Sequence, residues 1–313
     1  MEFLYLLEKI RIPILDEFML LITQLGEETA FLVTAMILFW CVSKRWGYYL
    51  LSVGFVGTLT NQFMKLLFRV PRPWVIDPNF TILEQAREAA GGYSFPSGHT
   101  QSAVGTFGSI AYITDRKWLR IAAICIAVLV PFSRMYIGVH TPLDVSVAAV
   151  MAVIFILAFK PVVFSEKKSN MMIMFAVMMI LAAGFLCYVE LFPFGEDIDQ
   201  HNLASGIKNA YTLTGALLGL FVVYLVDEKY FQFPTKAVWW VQIIKVVVGL
   251  LLVLAVKSGL KTPLNFVLGE SIGRAARYFL MVIVAGIVWP LSFRYLSRIG
   301  MTAAKNTSNQ EGN

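Results

Sequence analysis

Charge is what this chain has least of. Only 15% of its 313 residues are Asp, Glu, Lys or Arg, while 58% are hydrophobic and the mean hydropathy is +0.70. Ordinary soluble domains are about 45–50% apolar, so the balance excludes a soluble globular domain and makes this an integral membrane protein. An uninterrupted apolar leader is also missing. "MEFLYLLEKIRIPILDEF" mixes Glu2, Glu8, Lys9, Arg11, Asp16 and Glu17 among its apolar residues, so it lacks the unbroken apolar stretch of a signal peptide and is expected to form an interfacial amphipathic helix over 1–28. Cysteine is scarce: Cys41, Cys125 and Cys187 all fall in apolar stretches, where a thiol is expected to behave as a small buried hydrophobe. No disulfide framework is indicated. A Gly-rich phosphate loop, a Cys/His set with metal spacing and an internal repeat are all lacking, so no metal and no cofactor is expected. A net charge of +6 would suggest nucleic acid in a soluble chain. Here the basic residues follow membrane orientation and one cluster, and no nucleic-acid partner is expected.

What is present is a series of apolar stretches. They predict an all-α, polytopic helix bundle with about nine spans, near 29–44, 48–69, 98–114, 119–134, 141–163, 171–191, 206–226, 238–256 and 278–297. Residues 29–165 form a core of five to six helices, 166–298 add further spans of unassigned role, and 299–313 is a polar tail expected to be disordered. Lys44, Arg45, Arg116, Lys117, Arg120, Lys167 and Lys168 gather in the short turns on one side, which the positive-inside tendency assigns to the cytoplasm. The 70–97 loop and the 135–140 turn then face outward. Beyond residue 171 the bias weakens, because Lys257, Lys261, Arg274 and Arg277 oppose Lys229, Lys236, Arg298 and Lys305. "NFT" at 79–81 and "NTS" at 306–308 are glycan acceptor triplets, of use only in a eukaryotic secretory membrane.

Ionisable residues concentrate in three places. "KLLFRVPRP" (65–73) ends the second span, "PSGH" (96–99) opens the third, and "SRMYIGVHTPLD" (133–144) joins the fourth to the fifth. All three fall at the predicted outer face. Ionisable groups at membrane depth cost roughly 2.5–3.5 kcal/mol each unless paired or hydrated, so their convergence at one level argues for use.

Together these residues resemble a known signature. Lys65 followed by Arg72-Pro73, then Pro96-Ser97-Gly98-His99, then Ser133-Arg134 with His140 and Asp144 beyond, is similar to the three-part pattern of the type 2 phosphatidic acid phosphatase superfamily. That family includes membrane lipid phosphatases, glucose-6-phosphatase and the vanadium haloperoxidases. The resemblance covers about residues 29–163 and leaves the last four spans untouched. It implies one oxyanion site, with Lys65, Arg72, Ser97, Gly98 and Arg134 binding phosphate and His140, His99 and Asp144 catalytic.

The residues support these roles on their own physics. Lys65 and Arg72 lie nearly two helical turns apart, about 10 Å along a continuous helix. Pro71 and Pro73 should end that helix at about Val70, so that Arg72 can fold back over Lys65. Ser97 is a preferred N-cap, and a capped helix start offers free N–H groups and a positive dipole end to an anion, with Gly98 allowing close approach. His99 stands where a phosphate would sit. Asp144 has two readings: third helical residue of a capping box begun by Thr141, or acceptor of the His140 Nδ1 proton, orienting the imidazole. Arg69 reads as a snorkelling side chain, as does Lys245 inside the eighth span. Asp197, Asp199 and His201 alternate like calcium-loop ligands but lack the Gly and distant Glu of such loops.

The resulting expectation is a membrane phosphatase on the extracytoplasmic side of a bacterial cytoplasmic membrane. His140 attacks phosphorus, the cations and the Ser97–Gly98 backbone hold the equatorial oxygens, and His99 protonates the leaving oxygen. The expected substrate is a polyprenyl diphosphate such as undecaprenyl diphosphate, phosphatidylglycerol phosphate or phosphatidic acid. Alternatives are a soluble sugar phosphate, a phosphotransferase with the same site, and a non-catalytic lipid binder or transporter. The oligomeric state is left open.

Overall fold

The computed structural model describes residues 1–87, 90–195 and 198–299, and among them every regular element is helical. The chain opens with α1 (Glu2–Lys9) and α2 (Pro13–Gln24), where a single helix was expected over 1–28. Pro13, in the first turn of α2, supplies the break: it has no N–H to continue α1, and Ile12 before it is extended (φ −140°, ψ 148°). Next come α3 (Glu28–Ile37, extended by a π turn at Leu38–Val42), α4 (Lys44–Phe68), the single turn α5 (Pro73–Ile76) and α6 (Gly98–Ala103). A π turn joins α6 to α7 (Ser109–Ile113). Then follow α8 (Lys117–Tyr136), α9 (Pro142–Val163), α10 (Lys168–Leu191), α11 (Gln200–Val226), α12 (Trp239–Gly259) and α13 (Lys261–Ile283), the last kinked at Gly269 (φ +78°).

Each span expected from the sequence overlaps a helical stretch. Six helices, α8 onward, are long and apolar enough to cross a membrane alone, and α2 with α3 makes a seventh as a pair bent by 53°. The count of nine is not reached on these criteria. The α4 helix has the length, at 25 residues, but Thr58, Thr60, Asn61, Gln62 and Lys65 crowd its second half. The 98–113 stretch is shorter than the roughly 20 residues a hydrocarbon core asks for.

The described chain divides into two compact units. The first comprises Met1–Thr34, Tyr49–Met171 and Cys187–Ile207 and holds all three signature clusters. Its N-terminal helices are fastened to the end of α8: Tyr136 Oη donates to Asp16 Oδ1 at 2.6 Å, and Arg11 donates from Nε to the Tyr136 carbonyl at 3.0 Å and from Nη1 to that of Thr81 at 2.9 Å. Met19, Ala86, Ala90, Tyr136, Ile137 and Val139 form one buried cluster beneath this turn. Gly138 completes the turn at φ +93°, and a Cβ there would sit 2.8 Å from Arg11 Nη2, so glycine is required by both backbone and space. Cys125 and Cys187 lie on outward helix faces and Cys41 is half-buried. They are not core thiols: in a membrane helix the outward face is itself apolar surroundings.

The second unit comprises Ala35–Tyr48, Met172–Leu186 and the chain from Lys208 onward. Trp40 Nε1 donates to the Ala285 carbonyl at 2.8 Å, and Trp289 Nε1 to that of Lys245 at 2.9 Å. Lys245 does not snorkel to solvent. It is fully buried, and its Nζ donates to the carbonyls of Pro234 and Thr235 at 3.1 Å each, 4.6 Å from the Phe293 ring centre. The turn before α12 comes to the lysine, which spares the side chain the climb.

Candidate active site

The first cluster begins where α4 runs out. The helix ends at Phe68, and Arg69 takes a left-handed conformation (φ +50°) two residues before Pro71. The chain folds back after α4, so that Lys65 and Arg72 reach the same short segment. They fan across consecutive carbonyls of the 91–93 segment: Lys65 Nζ donates to Tyr93 at 2.6 Å, Arg72 Nε to Gly92 at 2.9 Å and Arg72 Nη2 to Gly91 at 3.0 Å. Gly92 sits at φ +80°, a conformation glycine adopts without penalty.

Arg72 ties the first cluster to the third. Its Nη1 donates to the Val139 carbonyl at 2.9 Å and lies 3.0 Å from His140 Nε2. A guanidinium has only donors, so Nε2 must be the acceptor and the ring proton must sit on Nδ1. Nδ1 faces Asp144 Oδ2 and Ser94 Oγ, each at 3.4 Å. The capping-box reading of Asp144 is realised, and the same carboxylate stands close to the imidazole. Its Oδ2 accepts the Thr141 N–H at 2.7 Å, its own N–H donates to Thr141 Oγ1 at 3.3 Å to complete a capping box, and the same oxygen faces the imidazole. Ser94 donates its hydroxyl to that oxygen at 2.6 Å.

The second cluster is locked to the third through the backbone, because the Ser97 N–H donates to the Asp144 carbonyl at 3.1 Å. Ser97 caps α6 by accepting the Thr100 N–H, leaving Gly98 and His99 in its first turn. Asn61 of α4 braces the loop from below, donating from Nδ2 to the Pro96 carbonyl at 3.2 Å. Arg134 is 1% exposed; its Nη1 donates to Thr23 Oγ1 at 2.8 Å, and its carbonyl accepts the Val139 N–H at 3.1 Å. His99 is half-buried and lines a cavity of about 400 Å³ that also touches Asn61 and Gly98.

Burial holds the His140 imidazole well below its ordinary range near 6.5, with the charges of Arg72, Arg134 and Lys65, and then His99, pushing the same way. Burial also pulls Arg72 down to about 10, against the pull of Asp144, which leaves the guanidinium charged at neutral pH. The arrangement therefore presents an unprotonated nitrogen beside the Arg72 guanidinium, with Arg134, Lys65 and the start of α6 in the same neighbourhood. Such a nitrogen keeps the lone pair that nucleophilic chemistry needs, and donors and positive charge beside it suit an oxyanion.

All eight residues expected from the sequence fall in this one neighbourhood. Ser94, Thr23 and Asn61 were not foreseen. Ser94 sits inside the quoted stretch "YSFPSGH", where its hydroxyl carries no periodic or capping signal; Thr23 is 111 positions from Arg134. Asp199 accepts the Asn202 N–H at 2.9 Å near the start of α11, a capping role, and His201 is exposed. Asp197 and the 300–313 tail, with "NTS", lie outside the described residues. Among the described residues no three His, Cys, Asp or Glu side chains converge as a metal site would need.

A family model described as PAP2 superfamily matches residues 45–168, and one described as PAP2 superfamily phosphatase, transmembrane extension, matches 211–302. An undecaprenyl-diphosphatase of Bacillus subtilis is 31% identical over 147 residues, covering 45% of this chain and 71% of the relative. The phosphatidylglycerophosphatase B of the same organism is 34% identical over 150 residues, covering 44% and 69%. An undecaprenyl-diphosphatase of Sulfolobus acidocaldarius is 31% identical over 137 residues, and this chain spans 64% of its length, a little under two thirds. No solved structure matches this chain.

Proposed function

This chain belongs to the PAP2 superfamily, and from that premise we propose that it is an integral membrane phosphatase that removes a phosphoryl group from a lipid phosphate through a phosphohistidine. The observation that carries the reading is the 3.0 Å approach of Arg72 Nη1 to His140 Nε2, which requires the neutral tautomer with its lone pair directed among the cations. His140 Nε2 attacks phosphorus, forming the P–N bond as the P–O bond to the lipid breaks, and His99 gives its proton to the departing oxygen. Water then attacks the phosphohistidine and gives a proton back to His99. The P–N bond breaks, and phosphate leaves. Lys65, Arg72, Arg134 and the N–H groups at the start of α6 stabilise the equatorial oxygens in both steps, which supplies the charge that magnesium provides elsewhere.

The relatives are named for acting on undecaprenyl diphosphate and phosphatidylglycerol phosphate, two lipids that share a phosphate on a membrane-held tail. A lipid phosphate or diphosphate of that kind is the substrate class we propose here. The site opens on the extracytoplasmic side, a reading supported by the basic turns that gather opposite it.

The test is trapping of the intermediate. With ³²P-labelled lipid phosphate, purified protein quenched in alkaline detergent should carry label that survives alkali and is lost under mild acid, and His140→Ala should carry none. Label retained by His140→Ala overturns the covalent mechanism. Absence of phosphate release across a panel of lipid and sugar phosphates overturns the phosphatase reading.

A further inference from the structure

The second unit holds an arginine that plays no part in the proposed chemistry. Gly269, at φ +78° and ψ 170°, breaks α13 in two. The break folds the first piece against the second: a Cβ at Gly273 would lie 2.8 Å from the Leu264 carbonyl and 2.9 Å from Asn265 Oδ1, positions that a continuous helix would hold about 12–13 Å apart. The buried residues of α13 are Gly273, Arg277 and Met281, spaced by four on one face. Arg277 is 4% exposed, and its Nε and Nη1 have no hydrogen-bond partner among the described residues. The Tyr278 ring centre is 5.8 Å from its guanidinium carbon, at the outer limit of a cation–π contact. One turn earlier, Arg274 Nη2 pairs with the exposed Glu270 at 3.4 Å, while its buried Nε has no partner. Asn265 Oδ1 is likewise buried and unpartnered.

Snorkelling does not account for Arg277, because a snorkelling head reaches water and this one is buried. A buried guanidinium without a counter-charge is costly inside an apolar span and marks a site whose partner comes from outside the chain. Three unpartnered nitrogens on successive turns offer donors and positive charge, and the planar fork of arginine matches phosphate oxygens. Long helical side chains lean toward the helix N-terminus, which carries the Arg277 head toward Asn265. That amide oxygen needs the opposite, a donor, and an ionised phosphodiester has none. The headgroup therefore carries a hydroxyl as well. We infer that the α13 kink binds an anionic phospholipid whose phosphodiester headgroup bears a free hydroxyl, phosphatidylglycerol being the simplest case. Arg274 and Arg277 take the phosphate, and Asn265 takes the hydroxyl. A lipid rather than a soluble phosphate is the source, because the Lys261–Ile299 stretch is long and apolar enough to cross a membrane, and Phe266, Val267 and Ile272 around the kink are exposed apolar side chains suited to acyl tails.

The experiment titrates the full chain, purified in detergent and stripped of lipid, with four probes, reading bound lipid by native mass spectrometry and the shift in thermal unfolding. They are phosphatidylglycerol, phosphatidylethanol (a phosphodiester without the hydroxyl), phosphatidylcholine (its charge cancelled by the choline) and soluble glycerophosphoglycerol (the headgroup without tails). Phosphatidylglycerol should bind one per chain, at least about tenfold more tightly than phosphatidylcholine or the soluble headgroup, and phosphatidylethanol should fall between. Arg277→Gln should weaken phosphatidylglycerol by at least about tenfold, the scale of a lost hydrogen bond between charged groups, and Arg274→Gln by less. Asn265→Ala should remove the preference for phosphatidylglycerol over phosphatidylethanol while leaving phosphatidylethanol unchanged. If Arg277→Gln does not fold, the wild-type ranking and Asn265→Ala decide. Equal binding of phosphatidylglycerol and phosphatidylcholine, equal binding of the soluble headgroup, or wild-type affinity in both arginine variants would overturn the site. None of these readouts depends on phosphate release, so the phosphatase reading stands or falls separately.

Discussion

The hydroxyl of Ser94 and the carboxylate of Asp144 are 2.6 Å apart, and the oxygen that receives this proton is also the one facing His140 Nδ1. Three groups therefore share Asp144 Oδ2: the Ser94 hydroxyl, the Thr141 N–H and the imidazole. The carboxylate is held from two sides by donors that cannot drift, and the ring is held by the carboxylate.

Ser94→Ala should lower kcat by roughly ten- to a hundredfold, the scale expected when a hydrogen bond to a charged group is lost, with less effect on KM. Asp144→Asn should be more severe, on the order of a thousandfold or beyond, because the amide can stabilise the wrong tautomer. Steady-state kinetics on detergent-purified protein decide it, and a wild-type kcat for Asp144→Asn would leave Asp144 as a cap alone.

His140 should stay neutral on the acid side of 6.5 in the resting protein. The direction follows from its surroundings: burial and three neighbouring cations disfavour the imidazolium, so the ring is protonated only at pH values well below its ordinary range. The chain has three histidines, and ¹⁵N spectra assigned with His140→Gln and His201→Gln would isolate its signal. An unchanged neutral pattern between pH 7.5 and 6.0 is expected; a midpoint near 6.5 would contradict the geometry.

Orthovanadate should inhibit, and a chelator should not. A trigonal-bipyramidal vanadate bonded to His140 mimics the transition state and can bind about 10²-fold or more tighter than substrate. The charge it needs is already supplied by Lys65, Arg72 and Arg134. Activity lost to EDTA and restored by magnesium or zinc would count against the mechanism.

Topology is open to labelling. Gln85, in the loop between the first two clusters, and Ser169, in the first turn of α10, are both exposed. In intact cells Gln85→Cys should react with a charged, membrane-impermeant maleimide, and Ser169→Cys only after permeabilisation. The native thiols add little background, because Cys125 and Cys187 sit mid-helix on apolar faces. Reaction of Ser169→Cys first would turn the site to the cytoplasm.

Much of this site could be read in the chain because its signals are local. The Thr141–Asp144 box, the Ser97 cap and the prolines after Lys65 each act within a few residues, and each forms. The α4 helix still ends two residues short of the expected Val70, because Arg69 turns left-handed before the prolines are reached. What stayed hidden depends on packing across the fold. Thr23 meets Arg134 only because α2 docks on α8, and the carbonyls that receive Lys65 and Arg72 belong to a loop without periodicity. The sequence places both α4 and 98–113 among the spans. The α4 helix falls short of the apolar test because Thr58, Thr60, Asn61, Gln62 and Lys65 crowd its second half, and 98–113 because it is short and broken by a π turn.

The hold of Arg72 on residues 91, 92 and 139 bears on how the proposed site would bind phosphate. A guanidinium has five N–H donors, and four are engaged here, by Gly91, Gly92, Val139 and His140. If phosphate takes a bidentate grip on Arg72 it must displace peptide oxygens, and the 91–93 segment would act as a tethered competitor at high effective concentration. Substrate binding is then an exchange, weaker than the bare cations would allow. On the phosphatase reading proposed above, the same exchange would run backward after hydrolysis: the returning carbonyls would compete with inorganic phosphate and favour its release from a site with so much positive charge.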